Sequence, residues 1–209
     1  MPVMNTLFTI GHSDHELAVL VGLLRRHRVE ILADVRSQPY SGRLPQFNKE
    51  LLERGLRENN LQYVFLGREL GARREEPECY TDGQARYDLV AKTAAFARGL
   101  QRIRTGLGQY NIALLCAEKD PLTCHRTILV CRHLRGPGFP IQHIHEDGRL
   151  ESQEAAEERL LQITGDAEPF LFATRQEQIE RAYDRQGLKI AYRETTPEPE
   201  VRFHPAVAP

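Results

Sequence analysis

The segment that most constrains the fold covers residues 112–134 and reads IALLCAEKDPLTCHRTILVCRHL. It begins with an unbroken apolar run, Ile112–Cys116, which is typical of a strand buried on both faces of a parallel sheet. Asp120 followed by Pro121 is a good helix start, with Asp120 as the N-cap. An apolar stripe at helical spacing follows, made by Ile128, Cys131 and Leu134. The segment therefore predicts a strand, a tight loop and a helix.

Strand-like and helix-like patterns alternate along most of the chain. Strands are predicted over residues 5–11, 30–36, 62–66, 112–116 and 140–145. Helical patterns lie between them, including a capping box of Ser13 and Glu16 and a long helix over residues 85–105. This alternation favours a parallel sheet with right-handed crossovers. We predict a single three-layer α/β domain with a mostly parallel sheet, helices on both faces and a C-terminal helical extension.

The domain is predicted to cover residues 1–165, and the helical extension residues 166–194. Residues 188–192 read as an edge strand within that extension. Residues 195–209 are rich in proline and nearly free of patterned apolar side chains, so we predict a disordered tail.

Composition excludes several classes of protein. The longest apolar runs are too short to span a bilayer, and the first residues lack the pattern of a signal peptide. Four cysteines in 209 residues do not make a disulfide framework, so we expect free thiols and a cytoplasmic location. The net charge of −1 provides no global attraction to nucleic acid or to anionic lipid.

Polar side chains collect where the predicted strands end. His12 and Ser13 follow the first strand, and Asp34 and Arg36 close the second. The central strand is followed by Glu118 and then by Cys124, His125 and Arg126. Because the carboxyl ends of parallel strands meet at one edge of a sheet, where ligands bind, we expect these side chains to share one crevice.

The two arginines of this set have alternative roles. Arg36 and Arg126 suit bidentate binding of a phosphate or carboxylate group. Alternatively, they are surface arginines that pair with Asp34 and Glu118. We also expect the backbone N–H groups after Pro121 to bind an oxyanion together with Arg126, because helix N-termini attract anions.

The cysteines have alternative roles as well. Cys124 lies beside His125 and Arg126, which favours a lowered pKa and a nucleophilic thiolate, although free cysteine is also common in protein cores. The site prediction assigns Cys124, His125, Glu118 and Asp34 to catalysis, and His12, Ser13, Arg36 and Arg126 to substrate binding.

A metal would be another use of these groups. Cys116, Cys124, His125 and His12 offer zinc ligands, but their spacing matches no standard zinc motif, so no cofactor is predicted. Glycine-rich nucleotide-binding motifs and the G-x-S-x-G elbow are absent from the sequence, as is the Cys-x5-Arg loop of cysteine phosphatases.

Several short motifs together resemble one family. They are TIGHS at 9–13, ADVRSQPYS at 33–41, ELG at 69–71, LLCAEKDPLTCHR at 114–126 and QHIHEDG at 142–148. Over residues 5 to 165 the chain resembles the domain of unknown function 488, with Ala72 in place of an expected glycine. The resemblance implies an α/β fold and a grouping of nine residues, but no activity, substrate or cofactor. These nine are His12, Ser13, Asp34, Arg36, Cys116, Glu118, Cys124, His125 and Arg126.

Two functional hypotheses follow. The first is a cysteine- or histidine-dependent hydrolase or transferase that acts on an anionic, phosphate- or nucleotide-like small substrate. The second is a nucleic-acid-binding or regulatory module in which arginines contact phosphates. The second requires one extended basic surface made by Arg25, Arg26, Arg28, Arg43, Arg68, Arg73 and Arg74.

Overall fold

A computed structural model of the chain describes residues 4–168 and 173–194. The strands are β1 Leu7–Gly11, β2 Ile31–Asp34, β3 Gln62–Phe65, β4 Tyr80–Thr81, β5 Gln84–Ala85, β6 Ile112–Cys116, β7 Ile141–Ile144 and β8 Leu150–Ser152. The α-helices are α1 Leu17–Arg26, α2 Lys49–Glu58, α3 Gly67–Leu70, α4 Tyr87–Val90, α5 Ala94–Leu107, α6 Arg132–Leu134, α7 Gln153–Thr164 and α8 Arg175–Ile190. Within these residues, no helix combines the length and the apolarity needed to cross a membrane.

The main sheet has six strands in the order β3-β2-β6-β1-β7-β8. The first five strands are parallel and β8 is antiparallel to β7. β6 lies between β2 and β1, so that Leu114 has Ala33 on one side and Thr9 on the other. Every residue of β6 is buried, which explains its unbroken apolar run.

Helices cover both faces of the sheet, and the predicted three-layer α/β class is confirmed. α1 and α2 pack on the face that carries Ala113 and Leu115 of β6. α5 and the helical segment after β6 pack on the opposite face, which carries Leu114. Alternate residues of one strand therefore support two separate cores, as the period of two requires. The C-terminal helix is present, and it packs with α7 on Leu122 and Ile128.

The predicted continuous helix from Pro121 is wrong. A short 3₁₀ turn, Pro121–Thr123, is followed by an extended Cys124 with φ −131° and ψ 140°. A π-helical segment, Arg126–Cys131, then continues into α6. Asp120 does cap the turn, since its side chain accepts a hydrogen bond from the Leu122 N–H. The N–H groups after Pro121 were expected to bind an oxyanion, but they are bonded within the turn. Those of Leu122 and Thr123 donate to Asp120, and that of Cys124 donates to the Pro121 carbonyl.

Three other local predictions differ from the structure. Ser13 has a positive φ of 47° and does not cap α1, which begins at Leu17 with Glu16 at the N-cap. The predicted helix over residues 85–105 is divided, because α4 ends at Val90 and Thr93 caps α5 by accepting a hydrogen bond from the Phe96 N–H. Residues 188–190 belong to α8 rather than to an edge strand. The tail predicted over 195–209 lies outside the described residues.

Candidate functional site

The crevice lies at the carboxyl ends of β1, β2 and β6 and consists of two adjoining cavities. The first has a volume of about 310 Å³ and reaches Cys116, Glu118 and His125. The second has a volume of about 390 Å³ and reaches His12 and Ser13. Both cavities share Arg36, Gln38, Tyr40 and Ala117. Most of the predicted site residues therefore lie at one edge of the sheet, as parallel strands require.

Two cysteines converge on one histidine at the wall of the first cavity. The Nδ1 atom of His125 is 3.6 Å from Sγ of Cys116 and 4.0 Å from Sγ of Cys124. The three potential ligand atoms all lie within 4.8 Å of one another. On the other side of the ring, Nε2 is 2.9 Å from the carbonyl oxygen of Val35. Because a carbonyl only accepts hydrogen bonds, Nε2 carries a proton and donates it to Val35. We call these three side chains the Cys–Cys–His cluster.

The extended backbone at Cys124 is what lets its sulfur face the cluster. Asp120 holds the preceding turn through the Leu122 N–H, and Arg159 donates to both Asp120 carboxylate oxygens at 2.8 and 2.9 Å. The backbone N–H of Arg126 then donates to Sγ of Cys124 at 3.4 Å. An arginine of α7 therefore supports the turn that precedes Cys124.

The guanidinium of Arg126 lies behind the cluster and is 0% exposed. It donates to the carbonyl oxygens of Glu118 at 2.6 Å and Lys119 at 3.2 Å, and also contacts Thr9. Among the described residues, no carboxylate accepts a hydrogen bond from it. Its donors are directed at the loop after β6 rather than at the cavity, so this geometry favours a positioning role over the predicted contact with substrate.

The pKa values of the two cysteines of the cluster are shifted in opposite directions. Burial raises the pKa of Cys116 well above its ordinary value, and its hydrogen bond with Cys124 adds to the increase. Burial opposes ionisation of Cys124 as well, but hydrogen bonding from Cys116 and the charge of Arg126 bring its pKa well below the ordinary value. Burial raises the pKa of Glu118, and the negative charge of Cys124 raises it further. These opposite shifts favour ionisation of Cys124 over ionisation of Cys116.

Arg36 is held by a second group of polar residues on the floor of the crevice. Its Nε and Nη2 atoms donate to the two oxygens of Asp34 at 2.9 and 2.6 Å. Nη2 also donates to the Phe47 carbonyl, and the hydroxyl of Tyr63 donates to Asp34 at 2.8 Å. Asp34 therefore orients Arg36, and none of its hydrogen bonds reaches His125 or either cysteine.

His12 belongs to this second group and not to the Cys–Cys–His cluster. Its Nε2 atom faces Nη1 of Arg36 at 3.3 Å, and its Nδ1 atom is 2.8 Å from the carbonyl oxygen of Ser13. Its ring stacks on Phe47 with 4.3 Å between centroids. Burial lowers the pKa of His12, which favours the neutral ring. Both ring nitrogens are occupied, so His12 does not complete a four-residue zinc site.

Several residues of the crevice were not predicted. Arg73 is exposed, donates to Gln38 at 3.3 Å and lies 4.4 Å from the ring centroid of Tyr192. Tyr87 and Tyr192 also form part of the wall of the first cavity. Gln38 and Tyr40 lie within the ADVRSQPYS motif, which was a usable signal. Tyr192 had no local signal, because it reaches the crevice only through the path of α8.

Comparison with known proteins supplies one match. A family model described as "Domain of unknown function DUF488" matches residues 16–132. The matched region contains the Cys–Cys–His cluster, Glu118 and Arg126, together with Asp34 and Arg36. Neither a curated protein nor a solved structure matches the chain.

Proposed function

The chain belongs to the DUF488 family, and from the chemistry of its crevice we propose that it is an enzyme acting on a small anionic substrate. The reaction class is hydrolysis or group transfer. One observation carries the proposal: thiol, imidazole and carboxyl side chains form one wall of an accessible cavity, namely Cys116, His125 and Glu118. Such groups perform acid–base and nucleophilic catalysis when they meet a substrate together.

The wall and its support have separate tasks in this proposal. Cys116, His125 and Glu118 face the substrate, whereas Cys124 does not line the cavity. Arg126 holds the loop that carries Glu118, through the Glu118 and Lys119 carbonyl oxygens. The reacting atom of the substrate would therefore lie in the first cavity.

Exposed cations at the crevice support an anionic substrate. Arg73 is exposed at the first cavity and Arg43 at the second. Arg36 also lines both cavities, but its guanidinium is already paired with Asp34. Cavity volumes of about 310 and 390 Å³ are within the range of small-molecule sites, at the lower end. Together they favour a molecule of metabolite size with a phosphate or carboxylate group.

The distribution of arginine does not favour the nucleic-acid hypothesis. Arg25 and Arg26 end α1, which places them near the amino end of β2, at the edge of the sheet opposite the crevice. Arg74 is buried and paired with Glu76. Arg68 and Arg73 share their surface with Glu75 and Glu76. These arginines therefore do not form one basic surface. Some lie at opposite edges of the sheet, and others lie beside glutamates that offset their charge.

Ligand binding by the full chain tests the proposal. A panel of sugar phosphates, nucleoside phosphates and small carboxylates is added to the wild type, and thermal stabilisation and turnover are measured. Arg73→Ala removes an exposed cation of the crevice, and Arg98→Ala removes an exposed arginine on α5 as the matched control. A ligand at about 100 times its Kd stabilises the folded state by about 2.7 kcal/mol.

We expect at least one class of anion to stabilise the wild type, with at least tenfold weaker binding to Arg73→Ala and unchanged binding to Arg98→Ala. Glu118→Gln should bind that anion and lose turnover. The proposal fails if no anion of the panel binds at millimolar concentration, or if the two arginine variants behave alike.

A further inference from the structure

We propose that Cys116, Cys124 and His125 bind a zinc ion whose fourth coordination position opens on the first cavity. Binding of the metal stands on the geometry of these three residues alone. Its part in a reaction rests on the proposed enzymatic function.

The distances suit a tetrahedral metal. Zn–S bonds of about 2.3 Å and Zn–N bonds of about 2.0 Å place sulfur and nitrogen roughly 3.5 Å apart in tetrahedral geometry. The observed separations from His125 Nδ1 are 3.6 Å to Cys116 and 4.0 Å to Cys124. A cysteine nucleophile activated by histidine needs one sulfur near the ring. A metal bound by all three side chains instead requires both sulfurs to lie near the same ring nitrogen, as they do here.

The imidazole is oriented as a metal ligand. Nε2 of His125 donates to the carbonyl oxygen of Val35, so Nδ1 is the ring nitrogen that faces the two sulfurs and is available to a metal. Histidines that bind zinc almost always donate their other N–H to a carbonyl or carboxylate in this way. The hydrogen bond to Val35, directly after β2, therefore fixes the direction of the ring.

The surrounding charges fit a bound cation. Two thiolates and the carboxylate of Glu118 together offset a divalent metal and the guanidinium of Arg126. Without anionic sulfurs, Arg126 would be a buried cation with no hydrogen-bonded carboxylate among the described residues, which is costly. The ligand set of two thiolates and one imidazole selects zinc over magnesium and calcium, which prefer oxygen.

Three protein ligands leave one position open, as in catalytic zinc sites. Cys116 and His125 line the first cavity, so that position faces the proposed substrate, with Glu118 on the same wall. A water molecule there would lose one proton to Glu118 while its oxygen bonds to the carbon or phosphorus of the substrate. The bond to the leaving group then breaks, and Glu118 returns the proton to that group. The net reaction is hydrolysis.

Metal content and spectroscopy of the full chain test the inference. Untagged protein is loaded with Zn²⁺, dialysed and measured for bound metal, and Co²⁺ is then used as a coloured probe of tetrahedral thiolate coordination. Ligand variants are Cys116→Ser, Cys124→Ser and His125→Gln. Cys79→Ser is the matched control, because Cys79 is also a buried free cysteine but lies outside the cluster. Circular dichroism checks the folding of every variant.

We expect one tightly bound zinc per wild-type chain, thiolate-to-cobalt charge-transfer bands with Co²⁺, and at least a tenfold loss of affinity in each ligand variant. If a ligand variant does not fold, alkylation of the wild type replaces it: Zn²⁺ should protect Cys116 and Cys124 and not Cys79. The inference is overturned if the wild type retains no zinc after dialysis. It is also overturned if a folded ligand variant retains as much zinc as Cys79→Ser. Turnover by metal-free protein would overturn the role of zinc and leave the enzyme proposal intact. If the protein binds zinc but no substrate is found, the zinc site stands and the enzyme proposal fails.

Discussion

Arg126 donates from Nη1 to the carbonyl oxygen of Glu118 at 2.6 Å. This one hydrogen bond joins the helical segment after β6 to the loop that precedes it, and so relates the position of Glu118 to that of Cys124. On its other side, the Glu118 carbonyl faces Gly11 of β1 so closely that a Cβ atom at Gly11 would lie 1.9 Å from it. The Glu118 carbonyl is therefore enclosed by the guanidinium of Arg126 on one side and by the backbone of Gly11 on the other.

Replacement of Arg126 by lysine should destabilise the fold. A single ammonium does not reproduce the fork that reaches the carbonyl oxygens of both Glu118 and Lys119, and one of them is left without its charged donor. We expect the free energy of unfolding to fall by about 2 kcal/mol, measured by urea denaturation. Arg98→Lys, on the exposed face of α5, should change it by less than about 0.5 kcal/mol. Equal effects of the two changes would show that Arg126 does not hold the loop.

Gly11→Ala should be destabilising because the added Cβ forces β1 away from the Glu118 carbonyl. We expect a loss of at least about 1–3 kcal/mol, the usual cost of overpacking. Gly22→Ala is the matched control, since no atom lies within 4 Å of a Cβ at that position of α1. It should be neutral or stabilising by up to about 1 kcal/mol through helix propensity. Similar melting temperatures for both variants would contradict this prediction.

Acid should weaken the fold through His143. This imidazole is fully buried between Thr9 and Gln153, and burial lowers its pKa to about 3. Above pH 6.5 it is neutral in both the folded and the unfolded chain. Below pH 6.5 the unfolded chain binds a proton that the folded chain refuses, so stability falls as the pH decreases toward 3. The contribution between pH 6.5 and 5 is about 2 kcal/mol.

The measurement compares urea denaturation of the wild type and His143→Gln at several pH values. Glutamine can still bond to Thr9 and Gln153 but does not titrate. We expect the variant to lose about 2 kcal/mol less than the wild type between pH 6.5 and 5. Parallel pH profiles would mean that His143 is not the group that senses acid.

Asp120 should matter for the cluster without touching it. Asp120→Ala removes the cap on Leu122 and both hydrogen bonds from Arg159, and loss of such a cap costs about 0.5–2 kcal/mol. Asp120→Asn keeps a capping oxygen but loses the charge that faces Arg159. The Ala variant should therefore have lower stability than the Asn variant, and about tenfold weaker zinc binding at the proposed metal site. Calorimetry and zinc titration provide the two readouts, and identical values for Ala and Asn would exclude a role for the cap.

The sequence by itself determined the sheet and the edge at which polar residues meet. The unbroken apolar run of β6 requires burial on both faces, and alternating helices require parallel strands. Once the strands are parallel, the residues that follow β1, β2 and β6 must come together, whatever the details of the loops. His12, Arg36 and Glu118 were placed at the crevice by that reasoning alone, because strand direction is a local consequence of pattern and connection.

Tertiary structure decided how the polar residues are paired. Cys124 is extended rather than helical, and the turn before it is held by Asp120, which pairs with Arg159 from a helix much later in the chain. Asp34 is bonded to Arg36 and Tyr63, whereas the ring of His125 is oriented by the carbonyl oxygen of Val35. Tyr192 reaches Arg73 only because α8 returns across the crevice. These pairings depend on which polar groups lie close together in the folded chain. Local sequence preferences carry no information about distances between residues that are far apart in sequence.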